Sequence, residues 1–585
     1  MKIIKLILPV CLSLSACWHK NETPITHPEN WDVELRVPAA IDVNPASDIV
    51  EVYLEAKETD VELIPGVQTR MWTYNGQFPG PQIDAKLGDT LIVHLTNSLP
   101  EDTTIHWHGL ELPATMDGSH ISQLAVKPGE SFTYQFKLNH AATYWYHPHI
   151  QAYEQVERGL YGALVVRDTQ YERELGLPVS SEVVVILDDI LLDDAGQIVF
   201  NPSSDPLQKA TQQANGREGN WFAINGKVFP VQDNAFSLPN LNVRSGVPVR
   251  LRLINAANAR FFRVAMPDYN LYQIGGDGGL LETPQTRPPI DVLEAVQTQK
   301  AKPNPRHIDG ITYRANPDLS KGLMLVPGER GDVVFTPIGY PGDSKFLEWF
   351  YHDRGAHKAM YDDTGQIMLS HEHDTSSLIW FSRLIRFTFT DDSDWLADEY
   401  LPPQKLRTIE ILDTSAATTL PVVFGHSMPD ANGDITFFAT MNNGSGVPFD
   451  QVTPELALKA KIGQTYIWEV SNLTQGDHPF HPHGFRFQWL ETRYEDIDFP
   501  DKNRVETANV REWKDTIRVP GRSGEMGQSR TIMRLAVRFD DTGREGQVAA
   551  SGKVPDSNGS GGWFVHCHIL EHSARGMGTF LELSY

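Results

Sequence analysis

A pattern that recurs three times limits what this chain can fold into. Gly88-Asp89-Thr90-Leu91-Ile92-Val93 runs on to Asn97, Gly246-Val247-Pro248-Val249-Arg250-Leu251 to Asn255, and Gly463-Gln464-Thr465-Tyr466-Ile467-Trp468 to Asn472. The glycine-to-asparagine spacing is nine in each copy. An Asn-Gly turn precedes each copy, at Asn75-Gly76, Asn225-Gly226 and Asn443-Gly444, and a Pro-Gly turn follows each, at Pro128-Gly129, Pro327-Gly328 and Pro520-Gly521. Short β-branched and aromatic runs, broken by Gly, Pro, Asn and Asp, fill the intervals, and no long helical period stands out. Such spacing reads as strands of sandwich or barrel domains, and self-similarity at a fixed interval reads as repeated units. The expected fold is all-β, with three related β-sandwich domains over 46–170, 171–395 and 396–585.

The second pattern is chemical. His566-Cys567-His568-Ile569-Leu570-Glu571-His572 lies near the C-terminal end and is followed by Met577. Side chains alternate between the two faces of a strand, so His566 and His568 share one face and Cys567 takes the other. Cys567, His572 and Met577 offer a thiolate, an imidazole and a thioether, the donors of a blue-copper electron-transfer site that needs one more imidazole. Three further His-x-His pairs occur, at His106/His108, His147/His149 and His481/His483. With His566 and His568 they make eight imidazoles, a set suited to three copper ions that must also hold oxygen. His478 is left over and completes the blue-copper set.

On these motifs the chain resembles the multicopper oxidases, the family of laccases, cuprous oxidases and ferroxidases, over nearly its whole mature length. The resemblance implies cupredoxin-like Greek-key domains and four copper ions. His478, Cys567, His572 and axial Met577 correspond to type 1 ligands, His106 and His481 to type 2 ligands, and His108, His147, His149, His483, His566 and His568 to ligands of the type 3 pair. The copper motifs fall in the first and third units only, so the three-copper cluster is expected between those domains with the second bridging them. The implied reaction couples four one-electron oxidations to reduction of dioxygen to water, with electrons passing from the type 1 site along Cys567. Asp117, nine residues after His108, matches an acidic residue that relatives use in proton supply. Its Asp-Gly context also reads as a turn. Several bacterial relatives carry a carboxylate directly after the second type 1 histidine, where this chain has Ser573.

The N-terminus opens with Lys2, Lys5 and an apolar run through Leu14, a secretory signal too short for an ordinary membrane span. Leu14-Ser15-Ala16-Cys17 resembles a bacterial lipobox, which implies lipid on Cys17, a membrane anchor and a cell-envelope or periplasmic location. Residues 18–45 read as a tether or leading arm. Of 3 cysteines, Cys11 lies in the signal, Cys17 is the expected lipid site and Cys567 the expected copper ligand. No pair remains for a structural disulfide, so the fold relies on its core. A net charge of -25 repels nucleic acid and draws in cations.

Three segments depart from a minimal architecture: 286–320, 352–374 and 541–562. The second carries His352, His357, Met360, Asp362, Asp363, Met368, His371 and His373. It reads either as an acidic solvated loop or as a cuprous-ion site, since some relatives bind that ion through Met and Asp. The functional readings are a laccase-like oxidase of small phenols or aromatic amines, a metallo-oxidase of cuprous, ferrous or manganous ions, and a copper-binding protein without turnover. The third conflicts with a complete ligand set. A two-domain copper nitrite reductase is excluded by the third repeat. An imidazole edge of His478 or His572 is expected near the surface for substrate, and Asp477 beside His478 is a candidate for the substrate mouth.

Overall fold

The computed structural model describes residues 26–200, 203–231, 238–290, 320–352, 354–355, 358–362, 364–370, 381–390, 399–496, 500–522, 529–544, 546–551 and 562–585. Three pairs of sheets follow one another along the chain. In the first, Val67–Tyr74, Ile49–Ile64, Thr90–Asn97 and Ser131–Lys137 face a sheet of Ile83–Lys86, Gly162–Arg167, Ala142–His147 and His106–His108. The second pair occupies strands between Glu182–Ile190 and Phe381–Phe389, and the third those between Thr418–His426 and Gly578–Ser584.

The threefold sequence pattern has a structural cause. In each domain the strand after the repeated glycine pairs in parallel with the domain's first strand: Thr90–Asn97 with Ile49–Ile64, Val249–Asn255 with Glu182–Ile190, and Thr465–Asn472 with Thr418–His426. Parallel neighbours cannot be joined by a hairpin, so the remaining strands cross over in Greek-key fashion. The closing asparagine is fully buried each time. Its Nδ2 donates to backbone carbonyls, those of Glu101 and Val126, of Arg260 and Leu325, or of Gly476, Val519 and Pro520. Its Oδ1 accepts the backbone N–H two residues on. A short side chain with both a donor and an acceptor is what this strand end requires.

The stretch expected as a tether is described from residue 26, and there it is packed. Trp31 and Leu35 join the core of the second domain, Trp31 O accepts from Asn242 N, and Ala39 bridges to Gln82 of the first domain. Of the three unusual segments, residues 291–319 lie outside the described set. The second is not a loop where it is described: Lys358–Tyr361 and Ile367–Ser370 form an antiparallel hairpin.

A cluster of acids is buried where the first two domains meet. Tyr161 Oη donates to Asp188 Oδ2 at 2.6 Å, and Leu191 N donates to Glu157. Burial pushes both Glu157 and Asp188 up to about 8. An acid whose folded pKa is raised contributes stability that is complete below the ordinary carboxyl range and is lost as pH rises through about 8. The unfolding temperature of the native protein should therefore fall between pH 5 and 9 more steeply than that of Glu157→Gln, which thermal melts across that range measure.

Candidate metal centre

Two paired strands bring the C-terminal motifs together. His478–Pro482 and Trp563–Cys567 are antiparallel neighbours, with Phe480 opposite Cys567 and His481 opposite His566. The Leu570–Ala574 helix then turns His572 back toward Cys567. Cys567 Sγ lies 3.5 Å from His478 Nδ1 and 3.9 Å from His572 Nδ1, and the two Nδ1 atoms are 3.2 Å apart. All three residues are buried, as is Met577, whose backbone is tied to both Cys567 and His572. Ile569 N donates to the sulfur. Burial pushes the thiol well above its ordinary pKa, so a cation is needed to favour the thiolate here.

Hydrogen bonds at the far nitrogens decide which ring atoms face inward. His572 Nε2 meets the Ala214 carbonyl at 3.2 Å. A carbonyl only accepts, so Nε2 carries the proton and Nδ1 presents its lone pair toward Cys567. His478 Nε2 meets Thr474 Oγ1 at 2.7 Å.

The same logic orders the eight remaining histidines, which gather on the other side of Cys567. The Nδ1 atoms of His106, His147, His481 and His566 donate to the carbonyls of Asp117, Pro148, Asp515 and Cys567. His483 Nδ1 meets Asp117 Oδ2 at 2.8 Å. Their Nε2 lone pairs thus point into the cluster, and those of His106, His147 and His481 have no hydrogen-bond partner, nor does His149 Nε2. His108 is reversed: Nε2 is held by Thr516 Oγ1 at 2.9 Å, and Nδ1 is left unpartnered. His483 Nε2 and His566 Nε2 face each other at 3.1 Å. His106 with His108 and His147, His106 with His481 and His483, and His149 with His483 and His566 each converge within 4.8 Å. The His568 ring joins them, 4.8 Å from that of His108 and 5.6 Å from that of His147, and neither of its nitrogens is partnered. Burial, then repulsion between neighbouring imidazoles, holds His108, His149, His481 and His483 well below the ordinary value, and burial takes His566 to about 3. Neutral imidazole is the ligating form, and converging unpartnered nitrogens in a buried site fit metal ions.

Asp117 joins the two domains' ligands. Its carbonyl accepts from His106 and its carboxylate from His483. Burial raises its pKa, but His106 and His149 and the surrounding hydrogen bonds outweigh that and hold it below the ordinary carboxylate range. The turn reading also holds, because Gly118 has φ +76 and a Cβ there would lie 1.8 Å from the Ile105 carbonyl oxygen.

The sequence reading missed Asp515. Its carbonyl accepts from His481, and its carboxylate lies 3.2 Å from His108 Nε2. Arg330 of the second domain grips that carboxylate at 2.6 and 2.5 Å, which makes Asp515 an orienting group and not a ligand. Its segment, Lys514-Asp515-Thr516, carries no histidine and no diagnostic spacing. The second domain also touches the cluster through the Pro327-Gly328 turn, where a Cβ on Gly328 would sit 2.8 Å from His108 Cε1.

Two expectations about the substrate side are corrected. Asp477 is not at a mouth. It is buried, and its carboxylate accepts from His352, Arg518 and Gly521 N. Neither imidazole edge reaches the surface, since His478 is 2% and His572 1% exposed. The Pro206–Asn215 helix of the second domain lies over His572, and the 358–370 hairpin is pinned to that helix by Ala359 N donating to Thr211 Oγ1. On that hairpin Met360 and Met368 are direct cross-strand partners and exposed, while Asp362 is consumed by its own turn through Thr364 and Gln366. His357, Asp363, His371 and His373 lie outside the described residues. Glu571, beside His572, points to Asn258 Nδ2 at 3.0 Å.

Comparison with known proteins agrees with this geometry. Two family models, both described as multicopper oxidase, match residues 55–171 and 419–582. The chain is 24% identical to multicopper oxidase MmcO of Mycobacterium tuberculosis, over 87% of this chain and 82% of that protein. It is 25% identical to a laccase of Bacillus subtilis, over 86% and 88%. Among solved structures, a multicopper oxidase from Campylobacter jejuni titled as a metallo-oxidase superposes with a TM-score of 0.66 at 24% identity, covering 94% of each chain.

Proposed function

The chain belongs to the multicopper oxidase family of copper-dependent, dioxygen-using oxidoreductases, and on that premise we propose that it oxidises a small one-electron donor at His478, Cys567 and His572 and reduces dioxygen to water at the eight-histidine cluster. One observation carries this reading: Cys567 belongs to the first donor set, while its chain neighbours His566 and His568 belong to the second, so a few covalent bonds join the two. Four copper ions fit the donors. His478, Cys567, His572 and Met577 would hold one, His106 and His481 another, and His108, His147, His149, His483, His566 and His568 the remaining pair. Copper would supply the electron storage and the dioxygen chemistry. The protein's own part is to keep the imidazoles neutral and oriented, to exclude bulk water, and to bring protons to the cluster through Asp117.

Two substrate classes remain from the sequence, and the cover over His572 favours one. A phenol or aromatic amine works best against a bare imidazole edge, whereas here Ala214 and its helix occupy that edge. A metal ion in its lower oxidation state can give up an electron from a surface position, across the hydrogen bond that His572 Nε2 donates to the Ala214 carbonyl. The acidic net charge and the exposed Met360–Met368 pair suit such a cation. Oxygen uptake with cuprous ion, ferrous ion, a phenol and an aromatic amine decides the matter. Metal ions should be turned over faster, and a higher kcat/KM for the phenol would return the protein to the laccase-like reading.

Export and lipid on Cys17 belong to this proposal on sequence grounds. Cys17→Ala should release the protein from membranes, and continued incorporation of labelled fatty acid would refute the anchor. Met577→Leu should raise the reduction potential of the Cys567 site, because a thioether donor that favours the oxidised ion is lost. Redox titration of the visible band measures the change.

A further inference from the structure

The middle domain supplies none of the proposed ligands, yet it holds both imidazoles of the electron-entry site. The hold on His572 is the Ala214 carbonyl. The hold on His478 is less direct and runs through its chain neighbour Asp477.

Two residues that follow the Ser344–Phe350 strand stand behind these holds. His352 Nε2 meets Asp477 Oδ2 at 2.9 Å, and Asp477 N donates to the Arg354 carbonyl at 2.7 Å. The residue before His478 is thus clasped through both side chain and backbone. The Arg354 guanidinium donates to the Asn215 carbonyl and pairs with Glu218 at 3.3 Å. A cation at a helix C-terminus satisfies carbonyls that lack intrahelical partners. The helix end it steadies is the one whose Ala214 carbonyl meets His572. Phe261 braces both residues, parallel to the His352 ring at 5.8 Å and 5.7 Å from the Arg354 guanidinium. His352 and Arg354 are themselves almost fully buried.

We propose that His352 and Arg354 are positioning residues of the electron-entry site, by which the ligand-free middle domain sets the geometry and reduction potential of the centre. The proposal rests on the reading that His478, Cys567 and His572 hold copper. Two physical effects are expected. His352 restrains the backbone beside His478, so its loss lets that imidazole reorient against the sulfur. Arg354 places a buried positive charge close to a centre that gains an electron, and a nearby cation favours the reduced form. Glu218 moderates that charge without cancelling it, because it is the more exposed partner, 34% against 5%.

The test uses the copper-loaded full chain with His352→Gln, Arg354→Gln and Arg354→Lys, and Cys567→Ser as the reference for the site itself. Copper content, the visible and electron paramagnetic resonance spectra, the potential from redox titration and the unfolding temperature are measured together. With copper content unchanged, Arg354→Gln should lower the potential and Arg354→Lys should recover most of the loss. His352→Gln should shift the visible band and the copper hyperfine splitting. If the glutamine variants keep native spectra and potential while only the unfolding temperature falls, the two residues are ordinary interdomain packing and the proposal is overturned. Should Arg354→Gln fail to fold, Arg354→Lys and His352→Gln still decide, since native spectra and potential in both would refute the role. A Cys567→Ser protein that keeps the visible band would overturn the underlying copper reading as well, a result distinct from any in the other three variants.

Discussion

Cys567→Ser is expected to abolish the intense visible band and to reduce steady-state oxidation to background. Sulfur-to-metal charge transfer is the source of such colour in a His, His, Cys, Met site, and a serine hydroxyl is neither soft nor readily ionised. The substitution changes one atom in a fully buried position, so the fold should survive. The histidine cluster should also survive in place, because the hydrogen bonds that orient His106, His147, His481, His483 and His566 go to carbonyls and a carboxylate, that of His108 goes to Thr516, and none goes to Sγ. The His566 Nδ1 bond goes to the Cys567 backbone oxygen, which serine retains. The variant should therefore keep copper at the histidine cluster and lose one equivalent. Metal analysis with absorption spectroscopy checks both halves of this. A variant that loses all its copper would mean that the two donor sets form only together, and a variant that stays blue would move the centre away from Cys567.

Asp117→Asn is expected to leave copper content, colour and anaerobic bleaching by substrate unchanged, and to slow return of the colour on adding oxygen by roughly 100-fold, within the usual range for a positioned proton-transfer group. The side-chain amide can still accept from His483 Nδ1 through its oxygen, so the ligand stays oriented. What is lost is the ionisable group between His106 and His483. The native carboxyl is held below the ordinary carboxylate range, so at neutral pH it rests ionised and relays a proton only by first accepting one from water and then releasing it toward the cluster. Without it, protons must arrive directly from water, and the deficit should widen as pH rises. Stopped-flow measurement of the two half-reactions separates the steps. Equal reoxidation rates would reduce Asp117 to a turn residue, and slowed bleaching would assign it to the substrate side.

The pattern of ligand types was legible because metal chemistry is local in sequence here. Four His-x-His pairs and one Cys lie on short strands or just past their ends: His106 and His108 share one strand, whereas His149, His483 and His568 each follow the strand that carries the first histidine of the pair. The threefold repeat was equally legible, since Asn97, Asn255 and Asn472 answer one demand of one strand end. Asp117 could be proposed because it follows His108 closely, although its bond to His483, 366 residues away, could not be foreseen.

Everything contributed by the middle domain was hidden. Arg330 on Asp515, Ala214 on His572, and His352 and Arg354 around Asp477 join residues far apart in the chain. A carbonyl has no residue identity, so no spacing can announce that Ala214 caps an imidazole. Asp477 looked like a loop carboxylate beside a ligand, and only the packing of three segments around it showed that its charge is spent inside the protein. The chain's residue types therefore determined which metal and which strands, because those depend on donor chemistry and on a period of two. Which nitrogen faces the metal, and how far the donor site lies from solvent, were decided by tertiary packing, because both depend on what a distant backbone places against the far side of each ring.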